Sequence, residues 1–141
     1  MGTRIVVGID GSPDSKQALR WAVAQAERAD AEVEAITAWE VPMTILLLPT
    51  ANEQDYADRA ARVLAQTLDE VLGDEPPVRV HARAMEGRAA QVLTRQARDA
   101  GMLVVGTHGR GELPGMHLGS VATYCVHHAP CPVVVLRGAA A

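Results

Sequence analysis

Hydrophobic and polar positions follow two different periods along this chain, and the periods alternate from one end to the other. Arg4 to Ile9 is β-branched and apolar, and it stops at Asp10-Gly11-Ser12-Pro13-Asp14-Ser15, a cluster of turn and cap residues. A helix is expected from Ser15 to Ala29, with Leu19, Ala22, Val23 and Ala26 on one face. Val33 to Trp39 predicts a second strand, broken by Pro42. From Asn52 to Leu72, Ala57, Ala60, Ala61, Leu64, Leu68, Val71 and Leu72 recur at the spacing of an amphipathic helix, which Gly73 ends. Val78 to Ala84 alternates Val78, Val80, Ala82 and Ala84 with Arg79, His81 and Arg83, which predicts a strand with one solvated face near a sheet edge. A third helix is expected over Arg88 to Ala100, with Ala89, Ala90, Leu93 and Ala97 facing inwards, closed by Gly101. A buried strand, Met102 to Val105, leads into a glycine-rich loop from Gly106 to Gly119. A short helix from Ser120 to His128 and a last strand from Pro132 to Leu136 complete the series.

Strands alternating with helices of this length imply parallel pairing, right-handed crossovers and helices on both faces of the sheet. In open α/β sheets ligands bind beyond the carboxyl ends of the strands, where the strand order reverses. The unusual residues fall at those ends. Gly106-Thr107-His108-Gly109, nine residues, then Gly119-Ser120 run from a strand end to a helix start. Glycine lets the backbone approach an anion closely, and the first N–H groups of a helix point at the loop mouth without internal partners. With the Ser120 hydroxyl, this is the makings of a phosphate cradle; the bland alternative is an ordinary surface loop. It is not a Walker loop, because no Gly-Lys-Ser/Thr occurs, and it does not fit the order G-x-G-x-x-G. Asp10, at the end of the first strand, has the chemistry to accept a hydrogen bond from a ribose hydroxyl; the alternative is a helix-capping or turn aspartate, a role that Asp14 and Ser15 are better placed to fill.

Composition narrows the ligand. The chain has 141 residues, the size of one domain spanning 1–141, and is 48% hydrophobic and 21% charged, which excludes a disordered tail. A formal net charge of −4 argues against a nucleic-acid partner held by surface charge. Lys16 is the single lysine, so affinity for phosphate must come from backbone amides, a helix terminus and Arg110. His108 invites an acid–base role, with a plain turn histidine as the favoured reading. Cys125, His127, His128 and Cys131 lack the spacing of zinc ligands, so no protein-bound metal is expected. Two cysteines make no disulfide framework, no secretory signal is visible, and no apolar run nears the ~20 residues that cross a bilayer. A cytoplasmic protein without a membrane partner is therefore expected. Thr44 to Pro49 is apolar and reads as local packing, with a contact surface as the alternative.

From Ile5-Val6-Val7-Gly8-Ile9-Asp10-Gly11-Ser12 to Pro130-Cys131-Pro132-Val133-Val134-Val135, the chain resembles a universal stress protein domain. The ATP-binding branch of that family carries G-x2-G-x9-G-S/T, and Gly106, Gly109, Gly119 and Ser120 stand at those spacings. The resemblance implies an open five-stranded parallel sheet in order 3-2-1-4-5, Rossmann-like, with ATP, or ADP or AMP, over strands one and four together with Mg. It implies that Asp10 holds the ribose, that Gly8 and Ile9 lie along the nucleoside, and that the Ala38 backbone meets adenine. Val105, Gly106, Gly109, Gly119, Ser120 and Val121 would then surround ribose and phosphates. Ala122 departs from the family pattern, where a hydroxyl residue is common, which weakens the case for ATP over ADP or AMP. Glu112, Met116 and His117 are also less typical. The apolar last strand needs cover, and the resemblance supplies a homodimer that pairs Pro132–Leu136 with its copy. No catalytic residue set is expected, because no base, metal carboxylate pair and arginine finger come together. The function expected is a nucleotide-dependent regulatory or sensor protein with little or no hydrolysis. Two alternatives stand beside it. One is an enzyme of ATP pyrophosphatase type or a slow ATPase, which Asp10-Gly11-Ser12-Pro13-Asp14-Ser15 faintly suggests. The other is a nucleotide-free interaction module.

Overall fold

A computed structural model describes residues 3–43, 47, 52–109 and 118–138. Five strands, β1 (Arg4–Gly8), β2 (Glu32–Trp39), β3 (Val80–Glu86), β4 (Met102–Gly106) and β5 (Val133–Leu136), form one sheet. Their order is β3-β2-β1-β4-β5, and every neighbouring pair is parallel. The helices are α1 (Pro13–Ala29), α2 (Glu53–Leu72), α3 (Ala89–Gln96) and α4 (Ser120–His128). The expected open α/β sheet, with its order reversing between β1 and β4, is what the chain adopts.

The pleat of the central strands sorts side chains into two cores. Ile5, Val7, Val33, Ala35 and Val104 pack with Leu19, Ala22 and Leu64 of α1 and α2. Val6, Ile36, Leu103 and Val105 pack on the opposite face with Val92, Leu93, Ala122 and Cys125 of α3 and α4. Small helical residues such as Ala18, Ala22 and Ala26, all fully buried, let α1 lie close against the sheet.

Three elements depart from expectation by two residues or more, each for an identifiable reason. α1 begins at Pro13, because Ser12 rather than Asp14 or Ser15 is the N-cap and accepts the Ser15 N–H at 3.2 Å. β3 runs two residues later than expected, since it follows its ladder with β2 from Val33↔Val80 to Trp39↔Glu86. α3 stops at Gln96 instead of Ala100. The Arg4 guanidinium takes the Gln96 carbonyl at 2.8 Å and the Arg98 carbonyl at 2.9 Å, and Asp99 adopts a left-handed φ of 65°. Those carbonyls turn to a side chain, and Arg98 closes a tighter bond to Arg95 instead of continuing the helix. β3 does occupy an edge, with His81, Ala82, Arg83 and Ala84 exposed. β5 occupies the other edge, and all four of its residues are half-buried.

Candidate functional site

The carboxyl ends of β1 and β4 lie side by side, with Val7 paired to Val104. The chain leaves β1 through a turn in which the Asp10 carboxylate accepts the Ser12 N–H at 2.9 Å. Ser12 caps α1, and the Ser15 hydroxyl donates to the Ser12 carbonyl at 3.0 Å. One short sequence thus ends a strand, closes an Asx-type turn and starts a helix. Across the cleft, β4 ends at Gly106, where a Cβ would stand 2.6 Å from the Cβ of Asp14 and 2.9 Å from its backbone carbon. Only glycine allows β4 to pass so close to the first turn of α1. The loop is then fixed at both sides. Thr107 donates its N–H and its hydroxyl to the Leu136 carbonyl, each at 2.8 Å, and the Gly119 N–H donates to the Thr107 carbonyl at 2.8 Å.

A cavity opens between these ends. Gly8, Ile9 and Asp10 form one wall, and Val105, Gly106 and Gly109 form the facing one. Ala38 closes it on the β2 side and Val121 on the α4 side. Gly119 and Ser120 do not line it themselves. Gly119 is the N-cap of α4 and accepts the Thr123 N–H at 2.9 Å, which leaves the N–H groups of Ser120, Val121 and Ala122 without an intrahelical acceptor. Arg110 lies outside the described residues, as do Glu112, Met116, His117 and most of Thr44 to Pro49.

Several wall residues escaped sequence reasoning as site residues: Ser12, Ser15, Ile36, Ala89 and Leu93; His108, read as a plain turn histidine, and Ala122, noted for its missing hydroxyl, also line the cavity. Leu93 and Ala89 read in sequence as the inward face of a helix, and nothing in their spacing separates a core position from a cavity wall. The cavity is therefore apolar towards Ile36, Ala38, Ala89 and Leu93, and polar towards Asp10, Ser12 and His108. It encloses about 80 Å³, well below the ~300–1,000 Å³ of small-molecule sites.

A larger groove of about 580 Å³ lies between α2 and β3, lined by Leu64, Leu68, Ala82 and Ala84. Asp69 and Asp74 are the only charged side chains among its lining residues. Cys125 is fully buried in the α3–α4 core while His127 and His128 are exposed, and the Tyr124 and His128 rings lie 4.3 Å apart. Burial first, and the neighbouring Cys131 second, push the Cys125 thiol up to about 11. Burial also raises the Cys131 thiol. Among the described residues no cluster of three or more His, Cys, Asp or Glu is arranged to hold a metal, and no helix is long and apolar enough to cross a membrane.

A doubly wound α/β sheet with a cavity at its topological switch point defines a broad class of ligand-binding folds. Within that class the chain belongs to the universal stress protein family, whose model matches residues 1–137. Universal stress protein Rv1996 of Mycobacterium tuberculosis is 38% identical over 138 residues, covering 94% of this chain but 43% of that protein. A universal stress protein of Mycolicibacterium smegmatis is 37% identical over 134 residues, covering 94% of this chain and 45% of its own length. The chain thus spans less than half the length of these curated relatives. Among solved structures, universal stress protein UspA from Lactobacillus plantarum superposes with a TM-score of 0.79 at 26% identity, covering 96% of this chain and 97% of that one. A universal stress protein in complex with cAMP has a TM-score of 0.72 at 22% identity, with 97% and 98% coverage. An Arabidopsis thaliana family member with AMP bound has a TM-score of 0.65 at 20% identity, with 98% and 93% coverage. Archaeoglobus fulgidus contributes one in complex with dAMP, at 0.71 and 18%, with 95% and 97% coverage. At these last three identities the likeness is one of fold.

Proposed function

We propose that this chain binds an adenine nucleotide across the carboxyl ends of β1 and β4 and works as a regulatory or sensor domain with little or no hydrolysis. The observation that carries the reading is the polarity of one cavity: apolar residues at the β2–α3 end, and a carboxylate, hydroxyls and glycine backbone at the other. A purine fits the first kind of wall, and ribose with phosphate fits the second. Family members of the same fold solved with cAMP, AMP and dAMP support the ligand class.

In this reading Gly8, Ile9 and Ala38 lie along the base and nucleoside, and Asp10 holds the ribose hydroxyls. Val105, Gly106, Gly109, Gly119, Ser120 and Val121 enclose ribose and phosphates, with Arg110 following Gly109 in the loop. The groups fit the ligand chemically. The α4 terminus offers N–H groups to an anion, and the close passage at Gly106 leaves room for no side chain. ATP with Mg²⁺ is the expected full ligand, with ADP or AMP as the forms that Ala122 favours by supplying no hydroxyl. Residues 1–141 act as one cytoplasmic domain, and a second copy pairs along Pro132–Leu136, whose half-buried apolar edge invites it.

The test is direct. Nucleotide is extracted and identified from the protein as purified, and turnover is then followed with excess ATP and Mg²⁺. Bound adenine nucleotide with negligible turnover is the expected result. Rapid release of pyrophosphate would make the chain an enzyme, and failure of adenosine, AMP and ATP to bind would leave an interaction module.

A further inference from the structure

β3 is an edge strand that pairs with β2 alone among the described residues. Two bonds fix which of its backbone groups face outwards. Val33 donates its N–H to the Arg79 carbonyl at 3.0 Å, and Gly87 donates its N–H to the Trp39 carbonyl at 2.8 Å. Backbone groups alternate in direction along a strand, so those of Arg79, His81, Arg83, Met85 and Gly87 face β2. Val80, Ala82 and Ala84 therefore turn their N–H and C=O groups to the free edge. β3 contains no proline, and its ladder with β2 runs unbroken from Val80 to Glu86. Such an edge is a template for one more strand.

The two faces of that edge differ in chemistry. On one, the side chains of Val80, Ala82 and Ala84 form the strand wall of the 580 Å³ groove. Ala61, Ala65 and Leu68, at the helical spacing i, i+4 and i+7, line it from α2. Ala61, Ala65, Ala82 and Ala84 are all exposed, so alanines on both walls leave the space unfilled. Asp69 and Asp74 also line the groove and repel acidic side chains from it. On the other face of β3, Arg79 and Arg83 are exposed on either side of His81. Each arginine meets its glutamate through Nη1, Arg79 with Glu32 at 3.8 Å and Arg83 with Glu34 at 2.9 Å. A guanidinium carries five N–H donors, so each keeps donors for a further carboxylate.

We propose that the β3 edge takes up an extended segment of another protein as a sixth strand, with side chains that alternate between apolar and acidic. Its backbone bonds to Val80, Ala82 and Ala84, its apolar side chains enter the groove beside α2, and its carboxylates meet Arg79 and Arg83 on the opposite face. A second copy of β3 fits this edge poorly. Antiparallel pairing of two copies sets the Arg79 and Arg83 rows of both chains on one face, and like charges across strands destabilise the pair. β2 separates this edge from β1, so the nucleotide site plays no part in it.

Fluorescence anisotropy with two labelled octapeptides tests this, one alternating valine with glutamate and the other valine with lysine. The wild type is expected to bind the glutamate peptide roughly tenfold more tightly than the lysine peptide, a preference that shrinks at high salt. Arg79→Glu should erase that preference. Ala82→Pro removes an outward N–H without breaking the ladder to β2, and should weaken the glutamate peptide roughly tenfold. Ala65→Glu, at an exposed helical position, puts a charge into the groove and should weaken the same peptide. It decides the matter even if Ala82→Pro fails to fold. Failure of the wild type to bind either peptide, equal affinity for both, or full affinity in Ala65→Glu would each overturn the proposal. So would a wild-type oligomer in sedimentation that Ala65→Glu dissociates, because the edge would then be covered by a second copy.

Discussion

The two ends of this sheet are built from different materials. Towards the amino ends of the strands, on the α3 face, Glu34 is buried and receives Arg4 at 2.8 Å and Arg83 at 2.9 Å. Arg4 also ties the end of α3 through the Gln96 and Arg98 carbonyls. Long side chains from three strands fill that end with ion pairs. At the carboxyl ends of β1 and β4 the polar contacts are short and local. The Asp10 N–H donates to the Ser15 hydroxyl at 3.3 Å, Ser12 caps a helix, and Gly106 removes the side chain altogether. A parallel sheet exposes strand ends on two sides, and here charge closes one while glycine keeps the other open.

The largest effect should come from breaking the closed end. Arg4→Met removes one of two cations from a buried carboxylate and its bonds to the Gln96 and Arg98 carbonyls. Glu34 keeps Arg83, so the loss falls below that of a fully orphaned buried charge, at about 3 kcal/mol. Urea unfolding measures it, and nucleotide affinity should not change. Loss of affinity at unchanged stability would mean the two ends are not separate. At the open end, Gly106→Ala places a methyl group against the backbone of Asp14 and should cost about 2 kcal/mol by overpacking. Unlike Arg4→Met it should also weaken AMP binding, because the loop that carries His108 must shift.

The contrast was only partly legible in the sequence. Alternating periods gave the α/β sheet, and strand ends marked by Asp10 and Gly106 placed the candidate site, because these are local signals. The early stop of α3 was not readable, since its cause is Arg4, some 92 residues away along the chain. Asp14 read as a cap because its cap-like neighbourhood is local, whereas its partner His108 is separated from it by 94 positions. Leu93 looked like any core leucine. Sequence shows which residues could do chemistry, and tertiary contacts decide which of them meet.

A third prediction uses pH on the face that carries the site. The Cys125 thiol, raised to about 11 by burial and then by Cys131, stays neutral in the native state where an unfolded thiol already ionises. Its native state therefore holds a proton that the unfolded state releases, so stability is level below about pH 8.5 and falls as pH rises through 11. At about 1.36 kcal/mol per unit of that window the loss should be on the order of 2–3 kcal/mol. Denaturation at several pH values checks it, and Cys125→Ala should flatten the slope that remains after allowing for Cys131, whose thiol is also raised.

The smallest effect belongs to a third setting, the exposed edge. His81 lies 3.1 Å from Glu32 between β3 and β2, and both side chains are 49% exposed. Arg79 also approaches Glu32, at 3.8 Å. The geometry resembles that around Glu34, with one carboxylate between two nitrogen-bearing side chains, the Arg79 guanidinium and the His81 ring, yet water reaches every member. Exposed pairs contribute less than about 1 kcal/mol and are screened by salt. His81→Ala should therefore change stability by under about 0.5 kcal/mol, and still less at 0.5 M salt. A loss comparable to that of Arg4→Met would show that burial is not what separates the two networks. The Glu34 cluster would then owe its strength to the strands it bridges, and the closed end of the sheet would extend to this edge.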